Sequence, residues 1–232
     1  LSMFVGVTAI AQTTPAWAVE SWTTPVDLSG TGQDAIFPQI VAAPNNTLTA
    51  IWHRSNGTKS VIQTRSSSDG GATWSSPTVD LSDDTEDAFD PEIVAAPNNS
   101  LTAIWRGYNG TKYVIQTRTS SDGGATWSSP TVNLSDGTQS ANDRKIVAAP
   151  NNTLTAIWRW YNGSKFVIQT RSSSDGGATW SSPTVNLSDI TEHTWGPQLV
   201  VAPNNTLTAI WYRYNGTKSV IQTRSSSDGG AT

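Results

Sequence analysis

Ser67-Ser68-Asp69-Gly70-Gly71-Ala72-Thr73-Trp74 decides the fold of this chain, because the phrase returns at Ser120–Trp127 and at Ser173–Trp180 and begins again at Ser226. Asp69, Asp122, Asp175 and Asp228 are spaced 53 residues apart, and so are Trp52, Trp105, Trp158 and Trp211. A long repeat that neither loses nor gains a residue means one supersecondary unit stacked several times.

Working outward from the phrase, each repeat reads as four antiparallel strands. Trp74–Leu81 is extended, with Pro77 at an edge position. A variable link leads to the small-residue strand Pro91–Ala96, and Pro97-Asn98-Asn99 is a turn. Leu101–Arg106 alternates with period two, as a half-buried strand does. Asn109-Gly110 is a hairpin signal, Lys112–Arg118 is the next strand, and the phrase turns the chain into the following copy. No helical periodicity occurs. Four-stranded units at this spacing imply an all-β fold, a β-propeller of four-stranded antiparallel blades. The four 53-residue repeats stand alone or form part of a larger ring.

The totals agree. Apolar residues make up 36% and charged residues 14% of the 232, a mixture suited to short strands and tight turns. The net charge of −4 carries no basic stripe, which speaks against nucleic acid as a partner. Without cysteine there is no disulfide framework, zinc–thiolate site or thiol nucleophile.

Residues 1–18 differ from the rest. Met3–Ala11 is a short apolar run and Ala16-Trp17-Ala18 is a small-x-small cleavage signal, so the segment reads as a signal peptide remnant. The run is too short for a membrane span. Secretion to a periplasm or to the extracellular space is the expectation. The propeller domain then occupies residues 19–232. Trp22–Ser29 matches Trp74–Ser82 with one residue missing, and Trp22 to Thr232 falls one residue short of four full repeats. The expectation is that Trp22–Ser29 completes the last blade, whose own phrase lacks its Trp. Closure would remove two open sheet edges. A homo-oligomer in which two chains share a ring is the alternative.

Ser-x-Asp-x-Gly-x-Thr-Trp resembles the Asp-box of the bacterial neuraminidase repeat, and from about Trp22 to Thr232 the chain is similar to sialidase-type Asp-box β-propellers. The resemblance implies that the box braces the turn between third and fourth strands, on the face opposite the ligand site. The structural box residues are then Asp69, Gly71, Trp74, Asp122, Gly124, Trp127, Asp175, Gly177, Trp180, Asp228 and Gly230. Each carboxylate suits backbone bonds across its own turn, and each Trp suits an apolar anchor. One carboxylate per box is too few for calcium, so neither a metal nor another cofactor is expected.

Comparison of the copies separates scaffold from surface. Variation falls in the link from fourth to first strand and in the hairpin between second and third strands, which share a face in such a blade. Those loops carry the candidate ligand-binding residues Arg54, Arg106, Tyr108, Arg159, Trp160, Tyr161, Trp195, Tyr212, Arg213 and Tyr214. Rings stack on sugar faces, and guanidinium groups grip carboxylates. The plainer alternative is that these side chains only cap the blade ends. Arg65, Arg118, Arg171 and Arg224 precede every box and read as scaffold.

Catalysis is a separate question. The resemblance implies an Arg-Ile-Pro motif, three arginines on a substrate carboxylate, a Tyr–Glu pair and an acid Asp. Arg-Ile-Pro is absent from this chain, so no catalytic residue is assigned. The reading favoured is a secreted, non-catalytic propeller binding an extracellular glycan or a cell-surface partner. Its alternative is an exo-sialidase-like glycoside hydrolase fragment whose catalytic residues lie largely outside this segment.

Overall fold

The computed structural model describes residues 22–230; the signal-peptide expectation for residues 1–18 lies outside them. The described chain is all strand and turn, in four antiparallel sheets. The first sheet holds β1 (Ala35–Ala42), β2 (Leu48–Ser55), β3 (Ser60–Ser67) and β4 (Val79–Asp80). The second repeats it with β5 (Ala88–Ala95), β6 (Leu101–Tyr108), β7 (Tyr113–Ser120) and β8 (Val132–Asn133). The third has β9 (Ala141–Ala148), β10 (Leu154–Tyr161), β11 (Phe166–Ser173) and β12 (Val185–Asn186). The last has three strands among the described residues: β13 (Thr194–Val201), β14 (Leu207–Tyr214) and β15 (Ser219–Ser226).

The fourth strand of each complete sheet is two residues long, shorter than the Trp74–Leu81 stretch expected. Pro77 offers no N–H to a ladder, and Trp74 turns back to donate its indole N–H to the Gly71 carbonyl. Val79 and Asp80 form the ladder with Thr64 and Gln63, flanked by single backbone bonds from the Ser75 N–H to the Ser66 carbonyl and from the Leu81 N–H to the Ile62 carbonyl.

Packing explains a second departure. Leu101–Trp105, expected to be half-buried, is buried at every position, because a sheet lies against each of its faces. Ile104 and Trp158 share a core with Ile115, Leu134 and Ile146; Trp105 shares one with Ile51, Ile62 and Leu81. The identical Leu-Thr-Ala-Ile-Trp of β14 does alternate, and its Ile210 is 43% exposed. Among the described residues no sheet covers that face of the last one.

The first strands β1, β5, β9 and β13 surround an axis. A cavity of about 540 Å³ at one end is lined by Ala42–Pro44, Ala95, Pro97, Ala148, Pro150 and Val201–Pro203, from all four sheets. A second, of about 500 Å³, is lined by residues of the same four strands nearer their starts. Antiparallel order puts the Asn-Asn turns and the Asp-Gly-Gly turns at the first end and both variable loops at the second.

Among the described residues no pairing between Trp22–Ser29 and the last sheet is detected. Residues 22–28 belong to no strand, and Trp22 is 99% exposed. β1 packs on β5 and β13 on β9, without substantial packing between β1 and β13 among the described residues.

Candidate functional site

At the first pole the Asp-Gly-Gly turns are self-contained. The Asp69 carboxylate accepts from Ser67 Oγ at 2.8 Å, from the Thr73 N–H at 2.9 Å and from Thr73 Oγ1 at 2.6 Å. Ser67 Oγ also accepts from the Gly71 N–H at 2.9 Å, where φ is +95° and a glycine is required. Asp122 and Asp175 repeat these bonds, and Asp228 accepts from Ser226 Oγ. The Thr73 hydroxyl and N–H, with Ser67, hold the Asp69 carboxyl down at about 2. Burial pulls Asp122 and Asp175 upward, but the bonds from Thr126 and Thr179 outweigh it and both end lowered. These carboxylates are already used by their own turns. No group of three or more potential metal-ligating His, Asp or Glu side chains occurs among the described residues.

The second pole is different. Each first strand is interrupted by a bulge: the ladder skips from Ile36 to Gln39, from Phe89 to Glu92, and from Trp195 to Gln198, and β9 is irregular between Asn142 and Lys145. The bulges put Phe37, Asp90, Asp143 and Gly196 at φ between +48° and +61°. Bulges re-aim side chains, and here they turn them into the axial mouth. Its lining includes Phe37, Asp90, Glu92, Arg106, Asn142, Asp143, Arg144, Lys145 and Gln198.

Most charges in the mouth are matched. Lys145 Nζ donates to Glu92 across neighbouring sheets. Arg159 Nε lies 3.0 Å from Asp143 Oδ2. Arg106 donates to Asn142 Oδ1 at 3.0 Å, lies 3.9 Å from Asp90, and sits over the Phe89 and Tyr113 rings at 5.1 and 4.9 Å. Arg144 stands apart. Its side chain is 9% exposed, and its nearest carboxylate, Asp90, is 4.0 Å away. It makes no hydrogen bond among the described residues, and its Nε is buried without a partner. Burial lowers the Arg144 guanidinium, opposed by Glu92 and Asp90; an arginine stays charged regardless.

Beside it, Phe37 is 57% exposed and stacks on His53 at 5.3 Å. A positive φ is strained for an aromatic residue. His53 Nδ1 accepts from the Asp90 N–H at 3.2 Å, which fixes its neutral tautomer. Burial lowers the His53 imidazole, Asp90 opposes this, and Arg106 and Arg144 reinforce it.

The residues expected to bind ligand do not all converge. Arg106 lines the mouth, and Arg159 braces Asp143 there. Trp160 packs against the core between second and third sheets. Tyr161 leans on Phe166 and donates to the Gly163 carbonyl. Tyr108 contacts Tyr113 and borders a separate cavity with Asp83, Glu86, Asp87 and Arg118. Trp195 stacks between His193 and Tyr212 at 5.4 and 5.6 Å. Arg213 pairs with Glu192, Arg54 lies beside Gly30, and Tyr214 is 47% exposed. The sequence reading left out Asn142, Asp143, Arg144 and Lys145. The signal for them was that the third copy alone replaces Pro by Arg at the bulge: Phe37-Pro38, Asp90-Pro91, Asp143-Arg144, Gly196-Pro197.

Sheets around an axis with a polar mouth at one end define a propeller-type all-β protein. No family model and no curated protein matches the chain. Solved structures do. The GH93 α-L-arabinofuranosidase of Fusarium graminearum in complex with arabinobiose aligns with a TM-score of 0.59 at 14% identity, over 84% of this chain and 63% of that one. The leech intramolecular trans-sialidase complexed with 2,7-anhydro-Neu5Ac gives 0.59 at 12% identity, over 90% and 52%. The endo-arabinase from Bacteroides thetaiotaomicron gives 0.54 at 14%, over 90% and 81%. At these identities the likeness shows the fold. This chain spans less than two thirds of the length of the arabinofuranosidase and of the trans-sialidase.

Proposed function

We propose that this chain is a secreted, non-catalytic propeller of the Asp-box type that binds extracellular glycans, free or on a cell-surface partner, at its axial mouth. The observation that carries the reading is Arg144, a nearly buried guanidinium lining the mouth whose Nε meets no acceptor and whose carboxylate partner, Asp90, lies 4.0 Å away. Burying a charged donor without partners is costly, and sugar oxygens would supply the acceptors. Phe37 adds an exposed ring for a sugar face, and the cavity volume falls within the usual range for small ligands. The neighbours whose structures hold arabinobiose and a sialic-acid derivative share the fold that presents such a mouth.

The runner-up is glycoside hydrolysis by a mouth carboxylate pair, favoured by Asp90, Glu92 and Asp143 lying in one cavity. That chemistry needs two carboxyl groups turned on one substrate. Here Glu92 is engaged by Lys145 and Asp143 by Arg159, which supports binding over catalysis.

A glycan array covering neutral arabino-oligosaccharides and sialosides tests the proposal. Phe37→Ala and Arg144→Gln are each expected to weaken the best ligand about tenfold, or roughly 1.4 kcal/mol, with the fold intact by circular dichroism. Turnover of a fluorogenic arabinofuranoside or sialoside would move the protein to the hydrolase reading. Unchanged binding by both variants would remove the mouth as the site.

A further inference from the structure

The seam between first and second sheets lacks a side chain that the later seams contain. Arg54, Gly107, Trp160 and Arg213 stand 53 residues apart, near the ends of β2, β6, β10 and β14. Gln33, Glu86, Gln139 and Glu192 each come 21 residues earlier, in the segments leading to β1, β5, β9 and β13. In the fourth copy Arg213 Nη1 donates to Glu192 Oε1, so the carboxylate has its counter-ion. In the third copy Trp160 packs into the seam with the second sheet, and its partner position is the neutral Gln139. The second copy alone sets an acid against a residue with no side chain.

The backbone does not call for glycine there. Gly107 has no positive φ and pairs in regular register with Ala88 and Val114. What it removes is bulk. Gln116 Oε1 sits where a Cβ on Gly107 would stand, and it accepts from the Trp105 indole N–H at 2.9 Å.

Beside these residues lies a cavity of about 530 Å³, whose lining includes Asp83, Glu86, Asp87, Tyr108, Gln116 and Arg118. None of its lining residues lines the axial mouth, and its volume is within the usual range for small ligands. Two of its carboxylates have partners. Asp87 lies 3.6 Å from Lys59 Nζ and accepts from the Ser60 N–H. Asp83 accepts from the Thr85 N–H and hydroxyl and faces Arg118. Arg118 itself donates Nε to Thr131 Oγ1 at 3.0 Å. Glu86 is half-buried and makes no hydrogen bond or ion pair among the described residues. The three carboxylates do not form a metal-binding group.

We propose that this cavity binds a guanidinium group from outside the chain, in the place that Arg213 holds in the fourth copy. Glu86 accepts its parallel N–H bonds, as a carboxylate does from a planar fork of donors. Tyr108 supplies a ring in the same lining, on which a guanidinium stacks favourably. Three carboxylates against one arginine keep the lining negative, which favours a cation over an acidic sugar. The guanidinium arrives either on a small molecule or on an arginine side chain of a polypeptide.

Two probes separate those sources: agmatine, and the blocked peptide acetyl-Gly-Arg-Gly-amide. N-carbamoylputrescine, in which a neutral urea replaces the guanidinium of agmatine, is the control. With the chain labelled by nitrogen-15 and followed by NMR, agmatine is expected to shift the Gln116 side-chain amide and the Gly107 N–H. N-carbamoylputrescine should bind about tenfold more weakly, and Glu86→Gln should weaken agmatine by about the same factor. Gly107→Arg restores the internal partner and should abolish binding while raising the melting temperature. Gln116 can yield to that arginine, since Gln222 keeps its bond to the Trp211 indole beside Arg213. Shifts from both probes assign the site to an arginine side chain, and shifts from agmatine alone assign it to a small molecule. Silence from both probes, equal binding of N-carbamoylputrescine, or undiminished binding by the folded Gly107→Arg chain would overturn the proposal. If Gly107→Arg does not fold, unchanged agmatine affinity in Glu86→Gln overturns it alone.

Discussion

Truncating one isoleucine at two repeat-equivalent positions separates the energy of stacked sheets from that of the sheet itself. Ile115 and Ile221 occupy the same place on β7 and β15, in nearly identical local sequence. Ile115 is fully buried within the core shared by second and third sheets, whereas Ile221 is 73% exposed. Truncating a buried Ile to Ala costs about 2–5 kcal/mol, from lost transfer energy plus the cavity left behind. At Ile221 about a quarter of the surface is buried and no closed cavity forms, so the cost should be about 0.5–1 kcal/mol. For a chain of this size 1 kcal/mol shifts the melting temperature by about 2–4 °C. Ile115→Ala at about 3 kcal/mol should therefore lower it by roughly 6–12 °C, and Ile221→Ala by about 1–4 °C. Urea unfolding, followed by tryptophan fluorescence at protein concentrations low enough to keep the chain monomeric, gives both values. Equal losses at the two sites would refute the stacking argument.

Other consequences are as specific. Trp127→Ala opens the seam between first and second sheets and should cost about 2–4 kcal/mol, less than full burial because the ring is partly exposed; a chemical melt measures it. Asp122→Ala strands the Thr126 N–H and two hydroxyls and should cost about 1–3 kcal/mol without changing glycan affinity. Lowered carboxylates contribute stability that is fully present above their unfolded values, near 4, and is lost as pH falls through the folded ones. The carboxylate share of the melting temperature should therefore hold between pH 7 and 5 and drop as pH approaches the Asp69 value of about 2. The His53 imidazole is lowered in the fold, so its contribution is present above about 6.5 and fades as pH falls below that. His53→Phe should flatten that part of a stability–pH profile.

The repeat made much of this legible. Fixed spacing placed the strands, the Asn-Gly hairpins and the Asp-Gly-Gly turns, because each depends on contacts within a few residues. Burial was less legible, because it depends on what lies across a sheet. Leu101–Trp105 and Leu207–Trp211 are the same five residues, yet one stretch is buried on both faces and the other on one. The same reason misplaced the rings. Trp160 and Tyr161 vary between copies, as surface residues do, but they fold against neighbours within the scaffold. Asp143 and Arg144 reach the mouth only through a bulge, a departure from ladder register that period-two counting does not register. What the sequence did show was Arg144 itself, the one copy without Pro at that position of the variable link.

The central claim is that the bulged first strands gather one ligand site on the axis, away from the Asp-Gly-Gly turns. A crystal structure of the chain grown with the tightest-binding oligosaccharide tests it most directly. The account predicts sugar density in the mouth, against the Phe37 ring and within hydrogen-bonding distance of Arg144. Sugar held instead among the turns at Asp69, Asp122 and Asp175, or four sheets not arranged about an axis, would contradict it.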